Sequence, residues 1–147
     1  ADAASRISKR VIGISKVQIG HLLHMTSGLG DYDGESYAKD QFANRTHDFA
    51  PLEIVENYVP RLLKYTPGSR QQYCSTNYIL LGLVLAHHAG NASWTDFQQI
   101  SVVPANLRSQ LAPSTHFVTS GTCEQATSVH GFMESYSTAS LPKQDVW

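Results

Sequence analysis

The stretch Tyr65 to Gly82, YTPGSRQQYCSTNYILLG, decides how the rest of the chain is read. Thr66-Pro67-Gly68 predicts a tight turn, because proline presets φ and glycine admits the turn geometry. From Asn77 to His88 the sequence NYILLGLVLAHH is apolar nearly all round and closes at Gly90, which predicts a buried helix with a glycine C-cap. Gly82 is costly inside that helix, so a neighbouring backbone is expected to pack close there.

Working outward, Pro51 suits a first helical position, and Leu52, Val55, Val59, Leu62 and Leu63 continue a stripe that Pro60 must kink or end. Ile19, Leu22 and Leu23 predict a short amphipathic helix stopped by Thr26-Ser27-Gly28-Leu29-Gly30. Between them lies a polar loop with a helical turn near residues 35–42. Residues 1–17 read as an irregular or extended lead-in. Ser93 predicts a helix start with Trp94, Phe97 and Ile100 on its inner face and Pro104 as its end. Beyond Leu111 the chain is rich in Ser, Thr, Gly and Pro, a loop-rich segment over 113–147.

Composition narrows the function classes. The 147 residues fit one modest domain, and 41% hydrophobic with 16% charged residues supplies a core. Eleven Lys and Arg against twelve Asp and Glu leave a formal charge of −1, no footprint for nucleic acid. No apolar run approaches the roughly 20 residues of a membrane span. Asn44-Arg45-Thr46 and Asn91-Ala92-Ser93 read as chance glycosylation sequons. Seven histidines, including His21, His24 and the His87-His88 pair, match no ligand pattern, and Cys74 and Cys123 match no metal spacing, so neither metal nor cofactor is expected.

One spacing carries chemistry. In Ser-x-x-Lys the amine lies one helical turn from the hydroxyl and can take its proton during attack on a carbonyl. Ser36-Tyr37-Ala38-Lys39 matches in a polar stretch, where a solvated amine is a poor base. Ser140-Leu141-Pro142-Lys143 places proline inside the required helical turn.

The ordered motifs point further. Pro67-Gly68, Tyr73, Asn77-Tyr78 and Leu80-Leu81-Gly82 resemble the Pro-Gly-x-x-x-x-Tyr-Ser-Asn-x-Asn-Tyr-x-Leu-Leu-Gly stretch of the serine β-lactamase family, in its class C, DD-peptidase and esterase branch. Ile19 to Leu29 is similar to its I-x-x-L-L-x-H-T-S-G-L stretch. Trp94 to Leu107 is similar to the helix leading into its Pro-Leu-Gly-Met, and Val129-His130-Gly131-Phe132 to its His-Gly-Tyr segment.

This resemblance, over residues 18–132, implies an acyl-transferring serine hydrolase acting on a β-lactam, a D-amino peptide or an ester. Tyr73 then assists the nucleophilic serine's proton transfer, and Ser75 stands where an asparagine positions substrate. A phenol titrates near roughly 10, so this role requires a neighbouring cation. A secreted or periplasmic location is implied as well. Reading Ser75-Thr76-Asn77 as the Ser-x-Asn of penicillin-binding proteins fits the flanking Leu-Leu-Gly less well.

Four departures qualify the match. Ser75 lacks the amide donor, Cys74 replaces a serine, and Met25 stands at the family's histidine. The family's Ser-x-x-Lys and its Lys-Thr-Gly or His-x-Gly motif fall outside this chain, and Ser36 follows the Thr-Ser-Gly marker rather than preceding it.

The expected fold is therefore mainly α: the helical subdomain (core 18–112) of the α/β (α+β) serine β-lactamase fold, its sheet mostly outside this chain. The expected partners are a small acyl substrate and the rest of the fold, on this or a second chain. The alternative is a non-catalytic binding or scaffolding module.

Overall fold

The computed structural model describes residues 2–91 and 93–111, together with the short strands Phe132–Met133 and Gln144–Asp145. Its helices are α1 (Ala3–Arg10), α2 (Ile19–Leu23), α3 (Glu35–Ala43), α4 (Pro51–Tyr58), α5 (Thr76–His88) and α6 (Ala105–Arg108). Short 3-10 turns cover Ile14–Lys16, Trp94–Asp96 and Gln99–Val102. The two short strands, β1 and β2, pair antiparallel, with Phe132 opposite Asp145. The described residues are mainly helical, as the motif order predicts.

Helix α5 is the central element, with α2 and α4 against it and α1 against α4. Val11, Leu22, Leu29, Val55, Val59, Cys74 and Leu80 form one buried cluster drawn from α2, α4, α5 and the segments between the helices. Burying such side chains stabilises a fold by about 1.5–3 kcal/mol each, which is what sets the helices' mutual packing. Helix α5 ends as predicted: Gly90 N–H donates to His87 O at 3.0 Å and Asn91 N–H to Ala86 O at 3.1 Å, capping the last turn.

Several expectations are corrected. The lead-in is helical over Ala3–Arg10, because Asp2 caps it by accepting from Ser5 N–H at 2.7 Å and Lys9 and Arg10 favour its C-terminal pole. Ile7 packs on the core from this helix, and Arg6 forms a two-pronged ion pair with Glu56 of α4. The stripe from Pro51 ends as a helix at Tyr58. Leu62 leaves it to form a parallel bridge with Ile12, Ile12 N–H donating to Arg61 O at 2.8 Å.

The helix expected from Ser93 is two 3-10 turns separated at Phe97, which is fully buried. Ser93 still caps the first by accepting from Thr95 N–H at 3.1 Å. What approaches Gly82 is the Trp94 ring rather than backbone: a Cβ there would stand 3.0 Å from Trp94 Cζ3. In α2, Leu22 is buried, whereas Ile19 and Leu23 are exposed.

Candidate active site

Tyr73 sits in the irregular segment just before α5 and is 72% exposed. Exposure of a phenol to this degree is compatible with presenting it to another group, provided its backbone is fixed. Two hydrogen bonds bracket it. Gln72 N–H donates to Met25 O at 2.9 Å, and Ser75 N–H donates to Asp31 Oδ2 at 3.0 Å. The Tyr73 phenol makes no hydrogen bond within the described residues.

The loop that supplies these acceptors is the Met25-to-Asp31 stretch following α2. Ser27 is buried; its hydroxyl donates to Asn77 Oδ1 at 2.7 Å and accepts from Leu29 N–H at 3.1 Å. Thr76, fully buried, donates to Gly30 O at 2.9 Å and accepts from Tyr32 N–H at 3.1 Å. Gly68 N–H donates to Thr26 O at 2.8 Å, and Lys64 N–H to Gly28 O at 2.7 Å. The Thr-Ser-Gly stretch and the Tyr73 stretch, separate in sequence, are thus stitched into one rim.

Gly28 is required by this stitching. Its φ of +77° is left-handed, and a Cβ there would collide with Tyr65 O. Met25 also adopts a positive φ, 58°, and its sulfur accepts from Asn77 Nδ2 at 3.1 Å. That contact gives the position a packing role.

Ser75, named with Tyr73 from the sequence, is brought to the same rim, half-buried at the head of α5. Cys74 between them points inward: it is buried in the core cluster, and burial pushes its thiol pKa up. It is a packing residue, not an activated nucleophile. Cys123 lies outside the described residues. Ser36 and Lys39 lie on α3, both exposed. Ser140, Lys143 and Val129-His130-Gly131 fall outside the described residues.

Sequence reasoning missed Asp31 and the Tyr32 cluster beside it. Tyr32, Tyr37, Phe49 and Tyr58 meet edge to face with centroids 5.0 to 6.1 Å apart, and His47 packs on Phe49 at 4.4 Å. Burial above all, then its neighbours Tyr37, Asp33, Asp31 and Tyr73, pushes the Tyr32 pKa up to about 12. The run of aromatics between residues 32 and 58 was the available signal. Among the described residues no group of three or more His, Cys, Asp or Glu side chains is placed to hold a metal ion. No helix among them is long and apolar enough to cross a membrane.

A fold of helices around α5, with a tyrosine presented from a rim braced by a Thr-Ser-Gly loop, defines a class that sequence comparison then specifies. The model of the Beta-lactamase family matches residues 4–108, and the chain belongs to that family. The match takes in α1, which the motif resemblance alone did not reach, and ends with α6. No curated protein and no solved structure matches the chain.

Proposed function

We propose that this chain supplies the Tyr73-bearing part of a serine hydrolase or acyltransferase working through an acyl-serine intermediate. The nucleophilic serine and its lysine are contributed from outside residues 1–147. The serine oxygen attacks the substrate carbonyl carbon; its proton passes through lysine and Tyr73 to the leaving group as the acyl bond breaks. Water or another acceptor then takes the acyl group and restores the serine. β-Lactams, D-amino peptides and small esters are the substrate classes, with Ser75 on the substrate side of the rim.

The observation that supports this reading is an exposed phenol on a backbone anchored on both sides, in a chain of the Beta-lactamase family. Reach for a second group and a fixed origin are what general acid–base work demands of a tyrosine.

The test is covalent tagging of the full-length protein with a fluorescent penicillin or fluorophosphonate, followed by mapping of the tagged serine. Tagging is expected outside residues 1–147 and slower by about 100-fold or more in Tyr73→Phe. The isolated chain is expected to hydrolyse neither a chromogenic cephalosporin nor a p-nitrophenyl ester above buffer. A tag on Ser36 that disappears in Ser36→Ala overturns the location of the nucleophile. Absence of any tag favours a non-catalytic binding module.

A further inference from the structure

At its N-terminus helix α5 receives no capping bond from the side chain of its own N-cap residue. Ser75 stands at the cap position with helical dihedrals, φ −60° and ψ −31°, and its side chain makes no capping bond. The donor exposed by that geometry, the Ser75 amide, is met from another part of the chain by the Asp31 carboxylate at 3.0 Å. A carboxylate accepting from a backbone amide at the head of a 13-residue helix makes a charge-assisted bond, stronger than a neutral one.

The placement of Asp31 is itself determined. Its two neighbours are both held by Thr76: Gly30 O accepts from the threonine hydroxyl, and Tyr32 N–H donates to it. Of the two bonds that bracket Tyr73, the one from Gln72 is between backbone groups and survives any side-chain replacement. Only the Ser75 bond depends on a side chain.

We propose that Asp31 is a positioning residue for Tyr73, fixing through the Ser75 amide the backbone from which the phenol is presented. This rests on the proton-transfer role of Tyr73. It adds the prediction that loss of Asp31 acts on the chemistry only by way of that tyrosine.

The experiment compares fluorophosphonate tagging rates of the full-length protein and its Asp31→Ala, Asp31→Asn, Asp31→Glu and Tyr73→Phe forms, with the Asp31→Ala/Tyr73→Phe double variant. Asp31→Ala is expected to slow tagging by about 10- to 100-fold, the scale of a misplaced catalytic group. Asp31→Asn, whose amide oxygen still accepts from Ser75, is expected to stay within about threefold of the parent. In the Tyr73→Phe background Asp31→Ala is expected to add little, because the two act as one unit.

Amide exchange at Ser75 is expected to accelerate at least about tenfold in Asp31→Ala and not in Asp31→Asn. If Asp31→Ala does not fold, Asp31→Glu carries the same test, since the longer side chain keeps the charge and displaces the oxygen. Multiplicative losses in the double variant, or an unchanged rate in both Asp31→Ala and Asp31→Glu, overturn the positioning role and leave the Tyr73 reading standing. An undiminished rate in Tyr73→Phe, or no tagging at all, overturns that reading and this inference with it.

Discussion

The Ser27 hydroxyl donates to the side-chain oxygen of Asn77 at 2.7 Å, joining the Thr-Ser-Gly loop to the first turn of α5 with both residues buried. The same hydroxyl oxygen serves Leu29 N–H, so one small side chain satisfies two buried groups. Removing it leaves both without a partner, and an unsatisfied buried polar group costs about 1–3 kcal/mol. Ser27→Ala is therefore expected to lower stability by at least that amount in denaturant titration. A change below about 0.5 kcal/mol would count against the bond's structural weight.

Gly28 permits no side chain. Gly28→Ala combines a left-handed penalty of about 1–2 kcal/mol with an overpacking cost of about 1–3 kcal/mol against the Tyr65 carbonyl. The expected loss is about 2–5 kcal/mol, measured by thermal or urea unfolding, with proteolysis between residues 26 and 31 accelerating in parallel.

Alkaline pH should loosen the aromatic cluster. In the folded chain Tyr32 titrates at about 12, above its ordinary value, so between roughly pH 10 and 12 the unfolded state gives up this proton first. Stability attributable to Tyr32 is thus intact below pH 10 and declines as pH rises toward 12. Tyr32→Phe removes the titrating group, so its unfolding midpoint should fall less steeply over that interval. Parallel curves for the two proteins would refute the assignment.

Cys74 should be chemically silent. Burial both blocks approach and raises its pKa, so alkylation by iodoacetamide at pH 8, followed residue by residue by mass spectrometry, is expected at Cys74 only after unfolding. Rapid labelling of Cys74 in the native protein would refute its place in the core.

The elements legible in the sequence were those with strong local signals. Apolar continuity and Gly90 revealed α5, and Pro51 marked the start of α4. The ordered motifs identified the family and placed Tyr73 and Ser75 together. Helix α1 escaped because only Ile7 carries its apolar face among eight residues; its stability comes from the Asp2 cap and from packing on α4. The break at Phe97 escaped because apolar spacing at 94, 97 and 100 suits an α-helix and a 3-10 turn equally well. Asp31 was invisible for a different reason: it contacts Ser75 across 44 positions, and no local pattern encodes such a pairing.

Those long spans govern how the rim comes into being. The bonds from Asp31, Gly30, Ser27 and Met25 to the head of α5 bridge 44 to 52 residues. None forms until α3 and α4 have been looped out between them, an entropic toll paid before any return. A peptide excised around Tyr73 would carry the motif without its geometry. Presenting the tyrosine thus requires the closing of the chain itself.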